Sequence, residues 1–322
     1  MKNNISIIIV NWNAEKYIEK CISSLLNQTV MPHEIIVIDN ASTDNSVSIL
    51  KGINGIKLFS LNENKGFAAG NNFGVEKSST ESEWIALVNP DAFPESDWLE
   101  KNLQAIVDNP AYGSFGSVLI NANDENYLDG IGDVYHLTGR VRRRGYKGLK
   151  SKYPMESGDI FSPCAAAAIY RRDVFLDLGG FDEDYFCYVE DVDLGFRFQL
   201  MGYKSLLVSD AIVYHVGSGT TGGQKSDFSV YHGNRNLIWT YIKNMPGILF
   251  WICFPLHVLF NITSIFIYSL RGRVRVITRS KLDALVYSSK MWRKRKVIQR
   301  RRRVPVFKIW SILDKRIWLI KR

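Results

Sequence analysis

The stretch WIALVNPDAF, residues 84–93, decides how the chain is read. Its first five residues form an apolar run of the kind that builds a buried strand, and the run ends abruptly in Asn89-Pro90-Asp91. A carboxylate at the end of a buried strand needs an explanation, and the plainest is a solvated turn.

Working outward, the first 120 residues alternate regularly. Short β-rich runs at residues 5–10, 34–38, 56–60, 84–88 and 113–119 are separated by stretches of helical spacing at 14–27, 44–51, 67–77 and 96–108. Such alternation predicts an α/β fold, a mostly parallel sheet covered by helices on both faces. Ligands of these sheets collect at the carboxyl ends of the strands. The strand ends read VNWNAEKY (10–17), DNASTDNS (39–46), NENKGFAAGNN (62–72) and NPDAF (89–93). No G-x-G-x-x-G follows the first strand and no P-loop pattern occurs, which argues against a dinucleotide-binding dehydrogenase and a P-loop nucleotidase. What remains is a set of polar strand ends: Asn11, Asp39, Asn40, Asn71 and Asp91. Each alone would serve as a turn former or helix cap, and residues 40–44 would cap the following helix with no ligand at all. Four coordinated strand ends point instead to a ligand.

Charge is distributed unevenly along the 322 residues. Net charge is +9, yet residues 271–322 carry 19 Lys/Arg against Asp283 and Asp314, so the tail holds +17 and residues 1–270 hold −8. Between body and tail, PGILFWICFPLHVLFNITSIFIYSL (246–270) is apolar apart from His257, Asn261, Thr263 and a few serines. Its length reaches the roughly 20 residues that can cross a bilayer. A single span would place the basic tail across the membrane from a cytosolic body, against the tendency of Lys/Arg to stay on the cytoplasmic side. A monotopic, in-plane segment with the tail on anionic headgroups avoids that conflict and is the expectation; a true span or burial against a protein partner are the alternatives. The run RKRKVIQRRRR (293–303) suits nucleic-acid phosphates less well, because nucleic acid does not explain the apolar segment beside it. Cys21, Cys164, Cys187 and Cys253 fall into no C-x-x-C pair or metal-ligand spacing, which fits a reducing setting. The apolar run at the amino terminus is too short for a signal-peptide core, so the catalytic part is not expected to be exported.

In order, SIIIVNWN, VIDNASTDNS, NKGFAAGNN, LVNPDAF, GGFDEDYFCYVEDVDLGFR and YHVGSG resemble glycosyltransferase family 2, the inverting nucleotide-sugar enzymes of GT-A fold. They look most like bacterial rhamnosyltransferases of cell-surface polysaccharide synthesis. The resemblance runs from about Ile5 to His215 and more loosely to about Asn244.

The resemblance implies roles. Asp39 is similar to the family carboxylate that accepts a hydrogen bond from the imide N–H of uracil or thymine, a role suited to a group that only accepts. Asn11 and Trp12 would line the base and ribose pocket, Trp12 serving equally well as a packing residue, and Gly66 and Asn71 would lie in the stretch closing over the nucleotide. NPD stands where the family has Asp-x-Asp. Asp91 would coordinate a divalent ion on the donor diphosphate, and the Asn89 departure leaves open whether that residue touches ribose, reaches the metal through water or caps the turn. His215 would be the second protein ligand, which slightly favours Mn²⁺ over Mg²⁺. The segment GSGTTGGQKSD (217–227) reads as a flap over the donor.

Inversion requires a base for the acceptor hydroxyl, and Asp191 matches the family's. Neighbouring carboxylates at Glu190 and Asp193 would raise its pKa, and a helix N-terminus would lower it. Glu190, with Gly179 and Gly180, is expected on the acceptor side, the glycines otherwise forming a plain turn. Arg235 would brace a diphosphate of donor or acceptor, or join an interhelix salt bridge.

These expectations give residues 1–244 as a catalytic domain and 245–322 as a helical membrane-attachment region. The function expected is transfer of a deoxyhexose, rhamnose from dTDP-rhamnose, to a lipid-linked saccharide at the cytoplasmic face of the inner membrane. A UDP-hexose donor in the same site is the alternative within transferases. A non-catalytic lipid- or nucleic-acid-tethered binding module is the alternative outside them. Residues 121–157, with the basic GRVRRRGYKG (139–148), are the least constrained part of the body.

Overall fold

Ile5–Asn11 is buried along its whole length, as a strand covered on both faces must be. In the computed structural model, which describes residues 4–217 and 226–316, it forms the first strand of a ten-stranded sheet. The strands are β1 (Ile5–Asn11), β2 (Glu34–Asp39), β3 (Lys57–Ser60), β4 (Trp84–Val88), β5 (Ala92–Pro94), β6 (Tyr112–Asn121), β7 (Leu128–Gly130), β8 (Asp133–Tyr135), β9 (Val141–Arg143), β10 (Gly158–Ile160), β11 (Ala167–Arg171) and β12 (Lys204–His215). The α-helices are α1 (Ile18–Leu26), α2 (Ser46–Lys51), α3 (Gly66–Lys77), α4 (Trp98–Asp108), α5 (Arg172–Asp177), α6 (Glu190–Met201), α7 (Asp227–Asn244), α8 (Gly247–Leu270), α9 (Val274–Val286), α10 (Ser288–Arg301) and α11 (Val306–Ile312).

The main sheet runs β10-β12-β6-β11-β4-β1-β2-β3, with β5 added to β12 and β7 to β6. Half of it is parallel as expected: β1 lies between β2 and β4, and β3 flanks β2. The other half is mixed, because β11 inserts antiparallel between β4 and β6. This strand follows β10, by which the chain has already joined the far edge of the sheet beside β12. The register Asn11↔Asp39 brings two of the polar strand ends side by side.

Helices α8 to α11 do not form a separate body. Leu249, Phe250 and Cys253 of α8 and Ile309 of α11 share one core with Tyr135, with Val192 and Phe196 of α6 and with Tyr241 of α7. Polar groups run along the inner face of α8. His257 stacks on Tyr241 at 3.9 Å between ring centroids, and its Nδ1 donates to the Thr138 carbonyl at 2.7 Å. Asn261 Oδ1 accepts from Lys281 of α9 at 2.7 Å. Burial without a carboxylate partner pushes that lysine down to about 7. The outer face shows Trp251, Ile252, Leu259, Ile262 and Phe266 to solvent.

Candidate active site

The pairing of β5 with β12 assembles the first part of the site. Residues 89–92 form a tight turn, the Asn89 carbonyl accepting from Ala92 N at 3.0 Å. Immediately after it, Ala92 pairs with His215. His215 Nε2 thereby comes to 3.3 Å from Asp91 Oδ1, and its Nδ1 bonds Asp129 Oδ2 at 2.8 Å. Burial opposes protonation of this imidazole, but the charge of Asp91 and the hydrogen bonds of Asp129 and Asp91 prevail and raise it to about 9. Asn89 Nδ2 lies 3.4 Å from His215 Nε2, and Asn89 Oδ1 is buried without a hydrogen-bond partner among the described residues.

The donor set suits a divalent ion. Asp91 and His215 converge on a cavity of about 970 Å³, and with Asp129 holding Nδ1–H, Nε2 is the nitrogen that would offer a lone pair there once an arriving cation displaces its proton. Among the described residues no three His, Cys, Asp or Glu side chains form a complete metal site. Two protein ligands leave room for phosphate oxygens, the usual arrangement where a substrate supplies the rest.

The first turn of α6 presents the acids. Glu190 and Asp191 line the same cavity as Asp91 and His215. Asp191 Oδ2 accepts from Ala165 N at 3.1 Å and Oδ1 from Val192 N at 2.8 Å. Burial raises its pKa, against those N–H groups and the charge of Arg143. Burial first, then the neighbouring Asp191, raises Glu190 well above its ordinary value, and its Oε2 has no partner among the described residues. Asp193 points the other way, bonding Arg197 at 2.9 Å and Lys243 at 2.8 Å in the core.

The acidic loop is strained and clamped. Phe186, Tyr188 and Val189 have φ of 64°, 69° and 71°, a left-handed conformation that costs of order 1 kcal/mol or more for such residues. Asn236 Nδ2 reaches the carbonyls of Tyr185, Cys187 and Tyr188 at 3.0, 3.0 and 2.8 Å. Beside it, Arg235 donates to the carbonyls of Asp184 and Tyr185, both at 3.0 Å, while lying 4.1 Å over the Trp239 ring. The structure therefore corrects the reading of Arg235. Among the described residues it forms no salt bridge, because its place on α7 turns it toward loop carbonyls that need donors.

On the nucleotide side, Trp12, Asn40 and Gly66 line the cavity. Gly66 has φ +86°, and a Cβ there would sit 2.6 Å from the Phe186 carbonyl oxygen. Asn11 is fully buried and acts on Asp39, donating to its Oδ1 at 2.9 Å. Asn11 and Asp39 lie at neighbouring strand ends but outside the described cavity wall. Two further expectations are corrected. Asn71 bonds the Phe67 carbonyl of its own helix at 2.9 Å, so it stays with α3 and does not reach the cavity. Gly179 and Gly180 donate to the Leu176 and Phe175 carbonyls and have φ of +80° and +65°. They form the turn that ends α5 and do not border the cavity. The expected flap falls mainly on residues 218–225, outside the described residues.

Sequence reading missed Asp129, Asp133 and Arg143. Arg143 bonds Asp129 at 2.7 Å and lies 3.7 Å from Asp133; Asp133 lines the cavity and is pushed up to about 7, by burial and by its acidic neighbours against the pull of Arg143. All three sit in the excursion without a motif, where only the basic run was visible. Cys21, Cys164, Cys187 and Cys253 are free thiols.

Known proteins agree with this architecture. The family model described as glycosyl transferase family 2 matches residues 6–179. An uncharacterized glycosyltransferase of Haemophilus influenzae is 39% identical over 109 residues, 33% of this chain and 43% of that protein. The N-acetylglucosaminyl-diphospho-decaprenol L-rhamnosyltransferase of Mycobacterium tuberculosis is 24% identical over 268 residues, 74% of this chain and 84% of that protein. Among solved structures, a mannosyltransferase from Pyrobaculum calidifontis in complex with GDP-Man and Mn²⁺ superposes with a TM-score of 0.55 at 15% identity, covering 96% of this chain and 86% of that one. With its family match covering more than half of the sequence and its mixed sheet shared with GT-A neighbours, the chain belongs to glycosyltransferase family 2.

Proposed function

We propose that this transferase moves rhamnose from dTDP-rhamnose to a lipid-linked saccharide, with inversion at the anomeric carbon, at the cytoplasmic membrane surface. The observation that carries the reading is the shared cavity of Asp91, His215 and Asp191. Asp39 accepts from the imide N–H of the base, Trp12 and Gly66 border the nucleoside, and Asp91 with His215 hold Mn²⁺ or Mg²⁺. When bound there, such an ion would supply positive charge toward the departing diphosphate. Asp191 takes the acceptor's hydroxyl proton as the new O–C1 bond forms and the C1–O bond to phosphate breaks. A raised pKa makes this carboxylate a stronger base than an ordinary aspartate. The similarity to a rhamnosyltransferase named for a diphospho-decaprenol acceptor supports both donor sugar and acceptor class.

Residues 245–322 attach the enzyme to the membrane in this reading, and 1–244 carry the chemistry. The packed polar face and exposed apolar face of α8 favour a helix lying in the interface over one surrounded by lipid. Assaying turnover of dTDP-rhamnose, UDP-glucose, UDP-N-acetylglucosamine and GDP-mannose with Mn²⁺ and a polyprenyl-diphosphate saccharide tests the proposal. dTDP-rhamnose should be the preferred donor; turnover restricted to a UDP-hexose would establish the alternative donor, and no turnover of any donor would reject the transferase reading.

A further inference from the structure

We propose that Asp133 is an acceptor-binding residue, its carboxyl taking a hydroxyl of the acceptor sugar beside the hydroxyl that Asp191 deprotonates. This deepens the reading given above and rests on its assignment of Asp191 as the base.

Three observations carry the inference. First, one short segment holds both acids at the cavity. Asp133 N donates to the Ser162 carbonyl at 2.9 Å, which bridges the start of β8 to that segment. Three residues on, Ala165 N donates to Asp191 Oδ2 at 3.1 Å. Asp133 and Asp191 are both buried and both line the cavity, as does Ala165. They lie close enough for the charge of Asp191 to act on Asp133. A pyranose carries hydroxyls on neighbouring carbons, and two adjacent carboxyls in a wall can read such a pair.

Second, the Asp133 carboxyl is poorly partnered for its burial. It is 4% exposed, and Nε of its ion-pair partner Arg143 stays 3.7 Å away, past the limit of about 3.2 Å for a normal N–H···O bond. Arg143 is committed to Asp129 at 2.7 Å. Its stem lies against Gly130, where a Cβ would overlap it, so the guanidinium has little freedom to close on Asp133. A buried carboxyl held this way bears a desolvation cost that a hydroxyl donor from a ligand relieves. Glu190 repeats the pattern beside the base: it is buried, it lines the cavity, and its Oε2 has no hydrogen-bond partner among the described residues.

Third, the surroundings select the ligand. Carboxyls at Asp133, Glu190 and Asp191 disfavour an anion. Burial, with Asp191 and Asp129 nearby, lifts Asp133 to about 7 against the pull of Arg143. A hydroxyl suits both forms of such a group, because it donates to a carboxylate and accepts from a carboxylic acid. Donor and acceptor sugars both offer hydroxyls, and position favours the acceptor. The turn between β8 and β9 packs on α8, where His257 donates to the Thr138 carbonyl at 2.7 Å and a Cβ on Gly139 would sit 2.6 Å from His257 Nδ1. That helix faces the membrane in the reading above, and a lipid-linked acceptor arrives from there. Trp12, Asn40 and Gly66, on the nucleotide side, belong to other parts of the fold.

The test uses the full chain in detergent with saturating Mn²⁺ and dTDP, so that no transfer occurs. Farnesyl-diphosphate-linked N-acetylglucosamine is titrated by calorimetry, followed by analogues in which each free hydroxyl of the sugar in turn is replaced by hydrogen. Asp133→Ala and Asp133→Leu should each weaken binding of the parent compound by about 10-fold; the leucine fills the space of the aspartate, so a folding fault in the alanine variant does not decide the result. One deoxy analogue should bind the wild type about 10-fold more weakly than the parent and lose little more in either variant, because the contact is already gone. A merely structural Asp133 would instead weaken every analogue alike, and that result overturns the inference, as does unchanged affinity for the parent. Variants that weaken dTDP-rhamnose relative to dTDP would assign the hydroxyl to the donor sugar and also overturn it. Absent binding to the wild type overturns the inference together with the acceptor class. The two readings otherwise fail separately: acceptor binding independent of Asp133 in an enzyme that transfers rhamnose removes only this inference, whereas Asp133-dependent binding in a protein that turns over no donor removes the transferase reading and leaves the saccharide site.

Discussion

The imidazole of His215 is held between two carboxylates, Asp129 Oδ2 at 2.8 Å from Nδ1 and Asp91 Oδ1 at 3.3 Å from Nε2. Asp129 is not among the residues lining the cavity; it orients the ring and fixes which nitrogen is available. Asp129→Asn should therefore weaken Mn²⁺ binding by roughly 10- to 100-fold. Calorimetric titration with Mn²⁺ checks it, and saturating Mn²⁺ should restore much of the turnover.

Asp91→Ala and Asp191→Asn should separate binding from chemistry. Without Asp91, metal-dependent affinity for dTDP should disappear in calorimetry. Without the Asp191 base, dTDP affinity should persist while kcat falls by about 100-fold or more. Near-normal transfer by Asp191→Asn would remove the base assignment.

The pH profile should carry the mark of Asp191. A base works only when deprotonated, so kcat falls as pH drops through its pKa. Burial raises that pKa, and the acidic limb should lie above the ordinary aspartate range. Arg143 pulls the other way; Arg143→Gln should shift the limb to still higher pH, measured from kcat at saturating metal.

Lys243 anchors the acidic loop to α7. Its ammonium is buried against Asp193 at 2.8 Å and Asp182 at 2.5 Å. Lys243→Met should cost about 3–5 kcal/mol in denaturant unfolding, because two carboxylates lose their partner. Both have pKa values below the ordinary aspartate value in the fold, burial being overcome by Lys243 with Lys294 at Asp182 and with Arg197 at Asp193. The stabilisation they give is therefore present above the unfolded-state pKa and lost as pH falls through the folded one, a window in the acid range below the ordinary aspartate pKa of about 3.9.

Ile262→Glu with Phe266→Glu should release the protein from vesicles containing anionic lipid. Both side chains are exposed on the outer face of α8, and a glutamate there opposes apolar insertion and adds repulsion from the headgroups. Flotation at low salt checks it; unchanged flotation would remove α8 from the membrane contact.

Much of the first half of the fold was legible in the chain. The apolar runs at 5–10, 34–38 and 84–88 became β1, β2 and β4 to within a residue, because a strand buried on both faces leaves a continuous apolar signature. The helical stretch at 67–77 became Gly66–Lys77 for a related reason, its spacing repeating over several turns. The stretch that opened the question, Trp84 to Phe93, ends in a turn that does hold a carboxylate at the cavity, and residue order alone located it.

Sequence by itself determined the strand ends, the Asp91 carboxylate and the separation of an acidic body from a basic, apolar tail, because these depend on local composition and short-range periodicity. Only the tertiary structure decided that β5 pairs with β12 and so sets His215 beside Asp91, that Asp129 and Arg143 enter from a segment without a motif, and that Arg235 and Asn71 turn away from the cavity. Those outcomes depend on pairing and helix rotation between residues distant in sequence, where the direction of a side chain is fixed by what the rest of the fold packs against it.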